Sequence, residues 1–306
     1  MGPELRHLRY LLAVAEHASF TRAAEDLHIS QPTLSQQIKQ LEKVLGVQLL
    51  DRSGRTVRLT DAGETYLRYA RRALRDLAAG RRAVLDVQDL TRGRLRLAMT
   101  PTFTTYLIGP LVAEFHTHHP ALTIEVREMT QDRMESGLLA DDIDLGIAFR
   151  TDHLAGIEST ALFTEKLSLV VGPRHSDTGR TEPLPVEALT GRPLALLSDD
   201  FATRGHIDTY FLAAGARPVV AVEANSISAL TEIVQRTDLA TVLPDALTRG
   251  HAALHPIALT PPLPVRTVSL LHRDRAYISA AARAFASLAH RWAADHHPQK
   301  SADASD

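Results

Sequence analysis

The 306-residue chain contains no cysteine. Disulfides, thiol nucleophiles and thiolate redox sensing are therefore excluded outright. No apolar run reaches the roughly 18 residues that a membrane-spanning helix needs, and no basic-then-apolar leader opens the chain. A soluble, cytosolic protein with no membrane partner is expected. Neither a nucleophile elbow nor a glycine-rich phosphate loop occurs, so Asp141 and Asp142 are read as solvating a turn, and Ser198-Asp199-Asp200 carries no catalytic reading. His116-Thr117-His118-His119 has no cysteine or carboxylate directly beside it and reads as a solvated helix end. No enzyme activity, metal or cofactor is expected.

Net charge is also nearly absent, at −2. That argues against a nucleic-acid partner until the chain is divided. Residues 1–92 carry 15 Lys/Arg against 11 Asp/Glu, net +4, whereas residues 93–306 carry 19 against 25, net −6. Basic charge gathers at the N-terminal end. With 44% hydrophobic and 23% charged residues the chain can fill packed cores, and its length allows two or more domains.

The stretch Ser30 to Gly46 reads as one helix. Ser30 caps it, Pro32 sits in the first turn where a missing N–H costs nothing, and Gly46 supplies a left-handed stop. Leu34, Ile38, Leu41 and Leu45 form one apolar stripe. Pro32, Gln36, Lys39 and Lys43 fall opposite it, with Gln31, Thr33 and Ser35 near the exposed start. Amides, hydroxyls and ammonium groups on one face can read base edges and hold phosphates. Alone, this is an ordinary surface helix. What precedes it changes the reading. Leu8, Leu11, Leu12 and Ala15 stripe a first helix, and Ser19 to Leu27 gives a short second one with Ala23 and Ala24 at the crossing. The turn His28-Ile29-Ser30 then completes a helix-turn-helix. Val47–Leu50 and Thr56–Leu59 are strand-like, and the turn between them carries Arg52, Ser53 and Arg55. That is a wing, placed to reach phosphate or a minor groove.

Thr60 can cap a long helix from Asp61 towards Leu90, in which Leu67, Ala70, Leu74, Leu77 and Val84 follow a heptad seam. About 30 residues span about 45 Å, and such a seam predicts a helix-to-helix dimer contact. Thr91-Arg92-Gly93-Arg94 is read as a hinge. Strands at Leu95–Met99, Leu122–Glu128 and Ile143–Phe149 then alternate with helices at Phe103–His118 and Arg133–Asp141, which predicts a parallel sheet with covering helices. A second set follows, with strands at Ser168–Val171, Leu194–Leu197, Val219–Val222 and Ala240–Leu243. The strand Val265–Leu271 and the helix Ala276–His290 return to the first set. The fold class is α/β, with a winged helix-turn-helix in front of a two-lobed α/β domain of periplasmic-binding-protein type. A transporter's solute-binding protein shares the two lobes, but the winged N-terminus and the missing leader argue against it. The expected domains are 1–60 for DNA binding, 61–91 as linker and dimerisation helix, 92–296 for effector binding, and 297–306 as a flexible tail. Lobe I comprises 92–163 and 268–296, and lobe II 164–267.

Particular residues carry a resemblance: Phe20-Thr21-Arg22-Ala23-Ala24, Ser30-Gln31-Pro32, Ser35-Gln36-Gln37-Ile38, Leu41-Glu42, Leu45-Gly46, Leu49-Leu50-Asp51-Arg52 and Leu59-Thr60-Asp61-Ala62-Gly63. Through these the chain resembles the LysR-type transcriptional regulators from end to end. The resemblance implies a homodimer or homotetramer with compact and extended subunits, double-stranded promoter DNA as partner, DNA bending, contact with RNA polymerase, and a small effector. It carries DNA contact onto Thr21, Arg22, Gln31, Pro32, Thr33, Ser35, Gln36, Lys39, Arg52, Ser53 and Arg55. Many family members place Arg where Gln36 stands, so their arginine-to-guanine contact does not transfer; Gln prefers adenine. Asp51–Thr56, Thr100–Thr104, Leu197-Ser198, Phe201–Arg204 and Glu223–Ser228 further resemble the cyanate-responsive activators within that family.

Ligands in such sheets bind at the carboxyl ends of the strands. The cleft candidates are Thr100, Thr102, Thr104, Thr130, Phe149, Ser198, Phe201, Thr203, Arg204, Asn225 and Ser226. Thr100/Thr102 and Ser226/Ser228 place hydroxyls at strand-to-helix junctions, where free N–H groups favour an anion. Arg204 is the one nearby cation in the sequence. A single cation suits a small singly charged anion such as cyanate better than a dicarboxylate, which needs two cationic forks. An aromatic or organic acid is the alternative effector, and plain helix capping is the simpler role for each Ser and Thr.

Overall fold

A computed structural model describes residues 2–54, 56–86 and 93–297. Arg55, the expected hinge residues Thr91 and Arg92, and the tail from residue 298 lie outside the described residues. The chain divides into two compact units, Met1–Val87 and Gln88–Asp306.

In the first unit, α1 (Leu5–His17), α2 (Phe20–Asp26) and α3 (Gln31–Leu45) precede a ribbon of β1 (Leu50–Asp51) and antiparallel β2 (Arg58–Leu59), then α4 (Asp61–Asp86). The caps follow the sequence. Ser19 Oγ accepts from Arg22 N–H, Ser30 Oγ accepts from Thr33 N–H at 3.3 Å, and Gly46 takes φ 71°. Leu34, Ile38 and Leu41 of α3 are fully buried against Leu11, Val14 and Ala23. The α1 stripe is rotated from expectation: His7, Leu11 and Val14 are buried, while Leu8, Leu12 and Ala15 are half-buried. Gly63 lets the first turn of α4 pass the wing, since a Cβ there would lie 2.0 Å from the Leu49 carbonyl oxygen. The heptad seam divides. Leu67 and Ala70 are buried, Leu67 in the helix-turn-helix core, whereas Leu77 and Val84 stay 52% and 67% exposed.

The second unit opens with β3 (Gly93–Met99), α5 (Pro101–Tyr106), α6 (Ile108–His118), β4 (Leu122–Glu128), α7 (Gln131–Leu139), β5 (Leu145–Phe149) and β6 (Ile157–Glu165). The expected single helix Phe103–His118 breaks at Leu107. Pro110 has no N–H to donate four residues back, so a new helix starts with proline in its first turn. The second lobe holds β7 (Leu167–Val171), β8 (Leu184–Pro185), β9 (Pro193–Leu197), α8 (Ala202–Ala213), β10 (Val219–Ala224), α9 (Ile227–Arg236), β11 (Ala240–Pro244), α10 (Asp245–Thr248), β12 (His255–Ile257) and β13 (Leu259–Thr260). The chain then returns through β14 (Arg266–Arg273) to α11 (Ala280–His296).

The sheet orders are β4-β3-β5-β14-β6 and β10-β9-β11-β7-β12. Both are mixed rather than purely parallel: β3, β4 and β5 run parallel, but β14 lies antiparallel between β5 and β6. In the second sheet β7 is antiparallel to β11 and β12. The polar edge strand β6 carries no apolar alternation over its first residues and was not anticipated. Phe103, Phe115, Phe163 and Phe285 are fully buried in the first lobe's core, each such ring contributing about 1.5–3 kcal/mol over an exposed one. The second lobe packs both faces of its sheet, through Leu169 and Ile207 on one side and Val170 and Leu230 on the other. The lobes join where β6 runs through Lys166 into β7 and where the chain re-enters at β14. Glu165 and Arg266 are register partners at that crossing.

Candidate nucleic-acid interface and interlobe cleft

Helix α3 leaves Gln31, Pro32, Thr33, Gln36 and Lys39 exposed, with Ser35 half-buried, and Thr21 and Arg22 are exposed at the start of α2. Thr33 Oγ1 lies 2.7 Å from Ser30 Oγ, so this hydroxyl is shared with the cap. Gln37, absent from the expected contacts, docks the helix. His7 Nδ1 accepts from the Glu4 N–H at 3.0 Å, which leaves Nε2 to donate to Gln37 Oε1 at 3.0 Å.

The wing is braced by one carboxylate. Glu42 Oε1 accepts from the Leu49 and Leu50 N–H groups at 3.0 and 3.2 Å, and Glu42 Oε2 accepts from Arg52 Nη2 at 2.8 Å. The Arg52 guanidinium lies 5.0 Å from the Phe20 ring centroid. Arg52, expected to meet DNA, is thus turned onto the body of the unit and holds α2, α3 and the wing together. The Ser53 N–H and Oγ both donate to Asp51 Oδ1, at 2.9 and 2.7 Å; these bonds, with Arg58 nearby, hold the Asp51 carboxyl below its usual range. Ser53 therefore shapes the wing turn. The expected contact Arg55 falls outside the described residues.

In the second unit a cavity of about 290 Å³ opens at the carboxyl ends of β3, β5 and β9. Thr100, Thr102, Thr130 and Phe149 line it from the first lobe, and Phe201 and Thr203 from the second. Pro101 and Ala202, inside the expected cleft segments, complete the lining with Gln131, Asp132, Asp199 and Asp200, which the sequence did not single out. Thr130 and Phe201 are the N-cap residues of α7 and α8, neither with a side-chain cap bond. The free N–H ends of two helices therefore border the cavity. Thr100 is 5% exposed, and its Oγ1 is buried with no hydrogen-bond partner among the described residues.

Five expected cleft residues lie elsewhere. Thr104 Oγ1 donates to Pro101 O and Glu128 Oε2. Ser198 is buried behind the lining, its hydroxyl also without a partner among the described residues. Ser226 caps α9 by accepting from the Ala229 N–H, and Asn225 is exposed beside it. Arg204 is committed: Nε donates to Asp208, and Nη1 to Leu197 O and Glu223 Oε2, each at 2.9 Å. Burial opposes its charge, but Glu223 and Asp208 outweigh that and raise its pKa. It is not the cleft's cation.

Behind the lining stands a different arginine, Arg266, 101 residues from its partner Glu165. Arg266 Nη2 donates to Glu165 Oε2 and Nη1 to Thr203 Oγ1 at 2.9 Å, while the guanidinium lies 3.8 Å from the Phe149 ring centroid. Tyr106 OH donates to Glu165 Oε1 at 2.5 Å. Thr203 Oγ1 stands 3.4 Å from Thr102 Oγ1 across the lobes. Burial pushes the Glu165 carboxyl up despite Arg266 and Tyr106, and burial with the Glu165 charge drives Tyr106 well up. Behind Gln131, the buried Glu135 accepts from His153 Nδ1 and the Leu154 N–H, both at 2.8 Å. Burial opposes its charge, yet these bonds hold it below the usual range. A second hollow of about 350 Å³ lies at the amino ends of β9 and β11. Its Arg174 and Arg192 already donate to Arg236 O and Asp177.

A winged helix-turn-helix in one unit and a two-lobed α/β fold around a polar cleft in the other define a ligand-responsive transcription regulator. Residues 5–64 match the "Bacterial regulatory helix-turn-helix protein, lysR family" and residues 88–294 the "LysR substrate binding domain". The chain belongs to the LysR family of DNA-binding transcriptional regulators. It is 30% identical to the hydrogen peroxide-inducible genes activator of Dickeya chrysanthemi, over 88% of this chain and 89% of that protein. Full-length OxyR C199D from Pseudomonas aeruginosa superposes with a TM-score of 0.68 at 26% identity, covering 94% and 93% of the two chains. CbnR complexed with its target DNA gives 0.55 at 28% identity, covering 95% and 99%. None of these three is named for cyanate. Among the described residues, no helix is long and apolar enough to cross a membrane.

Proposed function

We propose that this chain is a cytosolic, anion-gated regulator that reads promoter DNA with α3 and takes a compact, singly charged anion in the interlobe cavity. Cyanate is the first candidate, from the resemblance of Thr100–Thr104 and Phe201–Arg204. The observation that carries the reading is that Thr100, Thr102 and Thr203 line one cavity with the starts of two helices that lack side-chain caps. The N-termini of α7 and α8 support an anion against the repulsion of Asp132, Asp199 and Asp200 on the same lining, which grows with every added negative charge and so favours a single one. A monocarboxylate is the second reading, favoured by the volume and by the Phe149 and Phe201 rings. The peroxide named for relatives would have to act here without thiol chemistry, since cysteine is absent. Residues 1–60 serve as the reading domain, 61–91 as linker and 92–296 as effector domain. The exposed Leu77 and Val84 support pairing through α4 into a homodimer or homotetramer, which then engages RNA polymerase at the promoter.

Calorimetric titration of the full-length protein with cyanate, azide and benzoate in parallel tests the effector. Saturable binding of at least one, lost in Thr102→Val, is expected. Identical binding by wild type and Thr102→Val removes the cavity from the reading.

A further inference from the structure

We propose that Arg266, though it does not line the cleft, sets the cleft's preference for anions by fixing which way the hydroxyl protons point. The inference rests on the cleft being the effector site and concerns how that site selects charge. A guanidinium can only donate hydrogen bonds. Arg266 Nη1 donates to Thr203 Oγ1 at 2.9 Å, so a lone pair of that oxygen is occupied and its own proton must turn elsewhere. Thr102 Oγ1 is within reach, at a weak 3.4 Å. A ligand acceptor in the cavity offers the Thr203 proton a better partner. If Thr102 accepts from Thr203 instead, the Thr102 proton is free to serve a ligand acceptor. Thr100 Oγ1 has no partner among the described residues. The N-termini of α7 and α8 add only donors. The floor thus presents protons and calls for an acceptor.

Arg266 is held to this task. Its side chain is 7% exposed and that of Glu165 is 2% exposed, and the two are joined at the lobe crossing. Tyr106 OH fixes the other carboxylate oxygen. The Phe149 ring lies at 3.8 Å from the guanidinium and itself lines the cavity. Arg266 is therefore a positioning residue that acts through Thr203. Because Arg266 contacts Thr203 of one lobe and Phe149 of the other, the same side chain ties the orientation of the floor to the spacing of the lobes.

The test uses the full-length protein and two pairs of probes, acetate with acetamide and benzoate with benzamide, each titrated by calorimetry. Each pair differs in charge and hardly in shape. Wild type is expected to favour the anion. Thr203→Val should weaken anion binding about tenfold to a hundredfold, the scale of one hydrogen bond to a charged group, and leave the amides within about threefold. Thr203→Ser, which keeps the hydroxyl, should restore the preference. Arg266→Met combined with Glu165→Gln, which strands no buried charge, should abolish it too, because the donor to Thr203 is gone. An anion preference that survives Thr203→Val overturns this inference and leaves the effector site standing. A wild type that binds all four probes without preferring the anions also overturns it. A wild type that binds neither pair, and no cyanate, overturns the effector site and this inference together.

Discussion

Two Arg–Glu pairs, each with an aromatic ring against the guanidinium, do different work in the two units. Arg52–Glu42 is 30% and 12% exposed and spans 10 residues of chain. Arg266–Glu165 is 7% and 2% exposed and spans 101. The first closes a local turn: Glu42 also takes two wing N–H groups, so the ion pair is one of several fastenings, and solvent screens it. The second joins two lobes where water does not reach. A half-exposed pair can be cut at small cost, whereas cutting a buried pair strands a charge. The same residue types therefore brace the wing in one place and join the lobe crossing to Thr203 of the cavity lining in the other.

The sharpest way to break this comparison is to truncate both arginines in parallel. Arg266→Met is expected to destabilise the second unit by about 3–5 kcal/mol, the range for a buried pair that loses one partner, seen as a lowered thermal midpoint. Equal losses from Arg266→Met and Arg52→Met would erase the distinction. Gly63→Ala tests whether the reading head depends on close packing. Its Cβ would meet backbone at 2.0 Å, and a loss of about 1–3 kcal/mol or more in the first unit is expected; an unchanged denaturation midpoint would count against the packing described. Gln36→Ala should cost about 1–3 kcal/mol of discrimination at one operator base, read by gel shift at stated salt. Arg52→Ala should lower stability by about 1 kcal/mol and weaken operator binding uniformly across sequences, since it shapes the wing rather than reading a base. A sequence-selective loss in Arg52→Ala would return it to direct contact.

The smallest effect is set by pH. The Glu135 carboxyl is held below its usual range, so its contribution is present above the unfolded value near about 4.3 and is lost as pH falls through the lower folded value. Glu135→Gln should therefore destabilise at neutral pH, and the gap from wild type should close in acid. A gap that widens in acid, in urea titrations across pH, would contradict the bonding given to Glu135.

How far the sequence was legible follows from the same contrast of near and far. The helix-turn-helix was readable because caps, stripe and stop lie within one helix, and Ser30, Pro32, Leu34, Ile38 and Gly46 act as expected. Gln37 and Glu42 stand in the same helix, but their partners do not, so their docking roles were not visible. In the second unit, strands with apolar alternation such as Leu122–Glu128 could be placed, while β6 could not, since its opening Ile157-Glu158-Ser159-Thr160 shows none. Thr100, Thr102, Thr130, Phe149, Phe201 and Thr203 were brought to one cavity, because strand ends and helix starts are local signals. The cation was misplaced for the opposite reason. Arg204 is near Thr203 in sequence but turns to Asp208 and Glu223, whereas Arg266 arrives from a strand that re-enters the first lobe 63 residues later. Only the topology reveals that meeting.

If the hydroxyl floor of the cleft governs how the reading head engages DNA, the footprint on DNA must follow the anion. DNase I footprinting on the chain's own promoter, with and without the anion that binds it, tests this in wild type and Thr102→Val side by side. The anion is expected to alter the wild-type footprint, and Thr102→Val to bind the promoter with equal affinity but give one unchanging footprint. A Thr102→Val footprint that responds to the anion as wild type does would contradict it.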